Sequence, residues 1–410
     1  MNILLINQAF VAPGEPGHTR HYELGQYLLS QGHHLTIVAS NLNYQTGQRT
    51  VESKRLVVQQ DVDGLRVLRA YVAPTLHRSF VWRIIAFISF MFTSVYAALG
   101  AGKIDLVMGT SPPIFQAASA WLVAALRRTP YLLEIRDLWP EFAIDMGVLK
   151  NPILISLSRW LERFLYAQAD HIVVNSPAYV DYLRGKGVPV DKISFIPYGT
   201  DVEMFNPRVD GSTLRRELGL DDKFLVIYAG ALGMANDIDT LLRAARQLLD
   251  ETGIHFVLFG DGKERANLEE TAKELALTNV TFAGARPKRD MPQVLAASDV
   301  CVAILRDIPM FRTTYPNKVF DYMAAGRPTV LAIDGVIRQI IEQSNGGIFV
   351  EPGDDKALAD AVYSLYQDRN RVRTMGAAAC TYVCDHLDRR QRVAEFTDMM
   401  HAVVKQQWVH

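Results

Sequence analysis

Short apolar runs alternate with amphipathic stretches in two long cycles along this chain, and that alternation restricts the fold more than any other feature. In the first cycle NILLIN (2–7) and HLTIVA (34–39) read as buried strands joined by a crossover helix around 22–31. IDLVMGT (104–110), PYLLEI (130–135), HIVVNS (171–176) and ISFIPYG (193–199) continue the rhythm, with helices after Pro113, over 153–168 and near 177–186. The second cycle runs through FLVIYAG (224–230), HFVLFGDG (255–262), VTFAGA (280–285), VCVAIL (300–305), TVLAI (329–333) and GIFVEP (347–352). Helices are predicted between these runs at 239–251, 263–275, 290–297, 317–325 and 335–343. The expected fold class is α/β, with two Rossmann-like doubly wound domains at 1–205 and 206–375 facing each other across a cleft. A terminal helix in 376–410 is expected to pack back on the first domain. Ligands of such sheets bind outside the carboxyl ends of the strands.

The 410 residues are too many for one ordinary core, which agrees with two domains. Lys plus Arg number 43 and Asp plus Glu 44, so no global field draws a polyanion and nucleic acid is not expected as a partner. Cys301, Cys380 and Cys384 form no CxxC pair and favour neither a disulfide scaffold nor a zinc site. MNILLIN has no basic prefix or small-residue cleavage site, so a cytoplasmic protein is expected. Apolar residues make up 49% of the chain, and FVWRIIAFISFMFTSVYAALGA (80–101) holds part of the excess. Three readings of that segment stay open: a bilayer crossing, a buried domain helix, or a helix whose outer face meets a membrane or a lipid-linked substrate.

Four segments carry chemistry. NQAFVAPGEPGHTRHYELG sets Gly14 and Gly17 between strand and helix, where backbone N–H groups can meet an anion, though plain turn glycines would look the same. His18, Arg20 and His21 beside them suggest a polar active-site rim, and the missing GxGxxG spacing argues against NAD. YAGALG (228–233) and FGDGKER (259–265) place Gly230 and Gly262 after apolar strands, with Lys263 and Arg265 at the start of a helix, a pattern suited to phosphate. RTTYPNKVFDYMAAGRPTV (312–330) puts Lys318 just inside a helix opened by Pro316, where an anion would offset the macrodipole. Asp321, three residues on, could accept two ribose hydroxyls; a solvated helix face is the plainer reading of both. LLEIRDLWPEFAIDMG (132–147) presents Arg136, Asp137, Trp139 and Glu141, a mixture that suits sugars, against the alternative of an Arg136–Asp137 pair with Trp139 in the core.

In this order, and together with LSQGHHLTIVAS (29–40), ADHIVVNS (169–176), IPYGTDVEMFNP (196–207), NVTFAGARP (279–287), LAASDVCVAIL (295–305) and GGIFVEPGD (346–354), these segments resemble the retaining GT-B glycosyltransferases of family 4. SPP (111–113) and RDLWPE (136–141) resemble more narrowly the bacterial branch that builds O-antigen and capsule repeats, including transferases of N-acetyl-L-fucosamine. The resemblance implies a nucleotide diphosphate sugar as donor, with UDP favoured, and neither cofactor nor metal. It implies a polyprenyl-diphosphate-linked saccharide as acceptor, at the cytoplasmic face of the inner membrane. It assigns the ribose to Asp321 and the donor sugar to Thr313, where the family pattern has glutamates. The family's phosphate-binding Arg and Lys fall on Ala231 and Asn236, leaving Lys318, with Lys263 or Arg265, to supply the charge. Asp137 is expected as a catalytic or acceptor-positioning carboxylate, and Lys318 as the cation that stabilises the leaving diphosphate. A nucleotide-sugar epimerase or glucan synthase of the same fold remains a rival, as does a nucleotide-sugar-binding subunit without chemistry.

Overall fold

A computed structural model describes residues 1–15, 19–44, 46–53, 55–74 and 80–406, apart from the side chains of Phe80, Val81 and Gln406. The chain divides into two compact units, Met1–Ile196 with Val393–His410, and Pro197–Arg392.

The first unit contains β1 (Asn2–Ile6), α1 (Arg20–Ser30), β2 (His34–Ser40), β3 (Val57–Val62), β4 (Leu65–Ala70), α2 (Phe80–Leu99), β5 (Leu106–Ser111), α3 (Ile114–Arg127), β6 (Tyr131–Ile135), α4 (Glu141–Asp145), α5 (Pro152–Gln168), β7 (His171–Val174), α6 (Pro177–Gly185) and β8 (Ile193–Phe195). Its sheet has the order β3-β4-β2-β1-β5-β6-β7-β8, parallel except where β3 pairs antiparallel with β4. Side-chain alternation along each strand serves two helix layers. Ile3, Leu5, Ile37 and Met108 join Leu24 and Leu28 of α1 in one core. On the opposite face α3 sits so near the sheet that a Cβ at Gly109 would press into Ala120, which is why a glycine stands mid-strand there. Asn151 caps α5, its side chain accepting from the Ile153 and Leu154 N–H groups ahead of Pro152 at the first turn.

The β3–β4 hairpin is absent from the sequence expectation. Its turn is Asp63–Gly64, both at positive φ (50° and 85°), as a two-residue hairpin requires. β4 is an interior strand, and its Arg69 is 1% exposed.

The second unit contains α7 (Ser212–Leu218), β9 (Phe224–Ala229), α8 (Ile238–Gln247), β10 (Ile254–Phe259), α9 (Arg265–Glu274), β11 (Val280–Gly284), α10 (Met291–Ala297), β12 (Val300–Ile304), α11 (Asn317–Ala324), β13 (Thr329–Ala332), α12 (Val336–Ser344), β14 (Gly347–Phe349), α13 (Asp355–Gln367) and α14 (Arg369–His386). The sheet is parallel throughout, in the order β11-β10-β9-β12-β13-β14. β9 is buried on both faces: Leu225 and Ile227 enter one core, Phe224 and Val226 the other, which makes its sequence a continuous apolar run.

The division differs from the boundaries expected at 205/206 and 375/376. Residues 197–205 belong to the second unit, because the Thr200 N–H donates to the Leu387 carbonyl and a Cβ at Gly199 would strike that same oxygen. Residues 376–386 also stay with the second unit, since α14 packs on α11, α12 and α13. Only past Val393, within α15 (Arg389–Gln406), does the chain return to the first unit, where Phe396, Met400 and Val403 complete the core beneath α1.

Candidate functional site

In the second unit the strand order reverses between β9 and β12, so ligand chemistry is sought at the carboxyl ends of these strands. Two loops meet beside them. The Gly230 N–H donates to the Phe259 carbonyl, and the Leu232 N–H to that of Asp261, both at 2.9 Å. A Cβ at Gly260 would strike the Gly230 carbonyl oxygen, and one at Gly262 the Leu232 carbonyl oxygen. The structural reason for these glycines is therefore backbone on backbone, with no room for a side chain.

Lys318 enters this junction from the first turn of α11. Its Nζ donates to the Tyr228 hydroxyl at 3.2 Å and stands 4.5 Å from the centre of that ring. A Cβ at Gly230 would strike the same Nζ. Among the described residues no carboxylate pairs with it. The residue keeps some exposure, yet protein crowds the ammonium enough to push its pKa down from 10.5 to about 8. Uncompensated among the described residues, this cation stands at a helix N-terminus, a setting that favours a negatively charged group.

Asp321 lies one turn further along α11, and the Thr200 hydroxyl donates to its Oδ1 at 2.5 Å. Thr313 closes the short 3-10 turn Pro309–Thr313 and donates its hydroxyl to the Met310 carbonyl at 2.6 Å. Arg265 opens α9 and donates from Nε to Glu269 at 2.8 Å, a bond that raises its pKa and engages its charge. Lys263, just before it, is exposed and has no carboxylate partner among the described residues. The Ala231 carbonyl accepts from the Tyr228 hydroxyl at 2.7 Å, so Tyr228 ties Lys318 to the loop after β9.

In the first unit the reversal falls between β1 and β5. Asn7, following β1, donates through Nδ2 to His21 Nδ1 at 2.8 Å, and its Oδ1 accepts from the Ala9 N–H, which fixes the amide orientation. His21 Nδ1 must then accept, so Nε2 carries the proton and donates to Glu134 Oε2 at 2.8 Å. Burial lowers the His21 pKa against the pull of Glu134, in agreement with a neutral ring. Burial would raise Glu134, but Arg20, His21 and Arg136 overcome it and hold the carboxyl at about 2. His21 is 3% exposed, so the expected polar rim is corrected here: His21 is a buried strut, and Arg20 is ion-paired to Glu134. Gly17 and His18 lie outside the described residues.

Asp137 follows β6 and is exposed. Surrounding protein pushes its carboxyl upward, Arg136 opposing, while its contact with water limits that push. Among the described residues its carboxylate accepts no hydrogen bond. Its expected companions are occupied elsewhere. Trp139 packs toward Phe115 of α3, ring centres 6.4 Å apart, and Glu141 takes two 2.8 Å bonds from Arg159. Tyr228 and Thr200 are partners that no spacing along the chain points to, whereas the acid within the apolar YLLEI is a readable signal for Glu134. Among the described residues no three of His, Cys, Asp and Glu stand close enough together to hold a metal ion.

Residues 17–199 match the family profile described as "Glycosyl transferase 4-like domain", and residues 223–368 that of "Glycosyl transferases group 1". WcaI of Escherichia coli (strain K12), named for a glycosyl transferase of colanic acid biosynthesis, is 23% identical over 83% of this chain and 86% of its own. Among solved structures, sucrose-phosphate synthase from Thermosynechococcus elongatus superposes with TM-score 0.79 at 20% identity over 99% of both chains. HepE of Anabaena, solved with UDP and glucose, gives TM-score 0.74 at 17% identity over 97% of this chain and 99% of its own.

Proposed function

With the chain a glycosyltransferase of the GT-B fold and of family 4, related to enzymes of surface polysaccharide synthesis, we propose that it moves a sugar from UDP to a polyprenyl-diphosphate-linked saccharide, with retention at the anomeric carbon. The observation that carries the donor half is Lys318, a crowded ammonium held on Tyr228 with no carboxylate partner among the described residues. The diphosphate lies against Lys318, with Lys263 adding charge from the loop after β10. Asp321 takes the ribose beside Thr200, and Thr313 lies nearest the donor sugar. As the bond from the anomeric carbon to the β-phosphate oxygen breaks, Lys318 stabilises the growing charge on that phosphate. The departing phosphate takes the proton of the acceptor hydroxyl, whose oxygen bonds to the same face of the sugar. Asp137, whose carboxylate accepts no hydrogen bond among the described residues, orients that acceptor. SPP and RDLWPE favour N-acetyl-L-fucosamine as the sugar. The protein works at the cytoplasmic face of the inner membrane, where its acceptor is carried.

Calorimetry with UDP-sugars tests the donor reading. Lys318→Ala should weaken UDP-sugar binding about tenfold or more and leave uridine binding unchanged; equal losses for both ligands would refute it. A panel of donor sugars in a thermal-shift assay tests the fucosamine assignment, which fails if another UDP-sugar stabilises more strongly at equal concentration.

A further inference from the structure

We propose that Arg306, in the loop after β12, is a second cation of the donor site and grips the diphosphate from the opposite end of the β9 loop to Lys318. The inference rests on the donor reading above and adds one residue, from another element, to it. The loop between β9 and α8, residues 230–237, contains no lysine or arginine, and its one ionisable side chain is Asp237. Its backbone nevertheless has the make-up of an anion cradle. Among the described residues the N–H groups of Ala231, Gly233, Met234 and Ala235 reach no acceptor, and the space beside Gly233 is open. A sugar nucleotide brings two charged phosphoryl groups to such a loop, and Lys318 supplies one cation at its start, beside Gly230.

Arg306 stands at the loop's other end. It follows β12, the neighbour of β9 at the reversal of strand order, and its own N–H donates to the Ala235 carbonyl at 3.0 Å. The Ile308 N–H returns to the Arg306 carbonyl at 2.8 Å, which fixes this stretch of backbone. The surrounding charges are matched in a way that leaves Arg306 over. Asp307, the acid next to it, is paired with Arg312 at 3.1 Å, and Arg312 reaches Asp334 as well. Asp237 accepts the Thr240 hydroxyl at 2.6 Å, and Arg265 is paired with Glu269. Among the described residues the exposed Arg306 guanidinium has neither an ion pair nor a hydrogen bond. Its planar fork of donors suits phosphate oxygens, and the tie to Ala235 keeps it beside the unfilled N–H groups.

Calorimetry on the full-length protein with UDP, and with uridine as the probe that lacks phosphate, tests the assignment. Arg306→Gln should weaken UDP binding about tenfold and leave uridine binding unchanged, and Arg306→Lys should recover part of the loss. Because the tie to Ala235 is made by the backbone, the melting temperature without ligand should stay where it is in both variants. A pH signature separates the two cations, since Lys318 titrates at about 8 whereas a guanidinium stays charged. At about pH 9 the parent should still prefer UDP to uridine, and in Arg306→Gln that remaining preference should fall about tenfold. The inference is overturned if Arg306→Gln binds UDP like the parent, as a solvated surface arginine would, or if it loses UDP and uridine alike. Loss of the UDP preference in Lys318→Ala but not in Arg306→Gln would keep the donor reading and remove Arg306 from it. A parent that did not prefer UDP to uridine at all would sink the donor reading, and this inference with it.

Discussion

As the proposed diphosphate contact, Lys318 sets a pH limit on donor binding. Its folded pKa is about 8 against an ordinary 10.5. Between these values the folded protein holds a neutral amine while the unfolded chain still binds a proton, so this group makes stability rise with pH across that window. Donor affinity runs the other way, because the diphosphate needs the ammonium. From pH 7 to pH 9 the UDP-sugar Kd should weaken roughly tenfold, and in Lys318→Met it should be weak and flat with pH. A Lys318→Met variant that retained the parent's slope would remove the lysine from the explanation. The neighbouring glycines should separate by what a methyl group meets. At Gly230 it meets the movable end of Lys318, so Gly230→Ala should keep the melting temperature within a few degrees while weakening the donor. At Gly260 it meets the Gly230 backbone, and Gly260→Ala should cost about 2 kcal/mol or more in denaturant unfolding.

At the scale of elements, the hairpin β3–β4 has a consequence for the glycine loop between β1 and α1. Buried Arg69 of β4 donates to the Phe10 and Ser40 carbonyls and to Glu15, so a strand holds that loop by one guanidinium. Arg69→Met should destabilise by about 2 kcal/mol or more, Glu15 keeping some solvent. Amide exchange should rise first in the described part of the loop, residues 8–15, and a uniform rise across the unit would contradict the strut. This element was the one strand pair not legible in the sequence. VVQQDV and LRVLRA mix polar residues into every second or third position, and the apolar runs that revealed β1, β5, β9 and β12 have no counterpart there, although Asp63–Gly64 was a readable turn signal. The opening of α14 is harder to read for a similar reason, its RNRVR being charged, whereas α13 carries Leu358, Ala361, Val362 and Leu365 at helical spacing. Within the site, Lys318 and Asp321 could be found because their chemistry shows at fixed spacing on one helix. Tyr228, Thr200 and the Asn7–His21–Glu134 chain could not, since each pairing joins residues brought together only by the fold.

At the scale of the whole molecule, the chain ends in the unit where it began. α15 leaves the second unit after Arg392 and delivers Phe396, Met400 and Val403, at 3%, 0% and 5% exposure, to the core that α1 and the sheet build from the other terminus. His401 stands edge-on to His33, ring centres 5.0 Å apart, and marks the same docking. Stability of the first unit therefore depends on residues that follow the whole of the second. Met400→Ala removes a fully buried side chain and should cost the first unit about 3 kcal/mol. UDP has its proposed contacts in the second unit alone, so it should raise the unfolding temperature of that unit by mass action in parent and variant equally. Scanning calorimetry with and without UDP then separates the two cores. The expected trace has a first-unit transition lowered by the substitution and a second-unit transition that answers to UDP. If Met400→Ala instead abolished the UDP-dependent shift, the donor site would depend on the first unit's core, and the assignment of the diphosphate to Lys318 and its neighbours alone would fail.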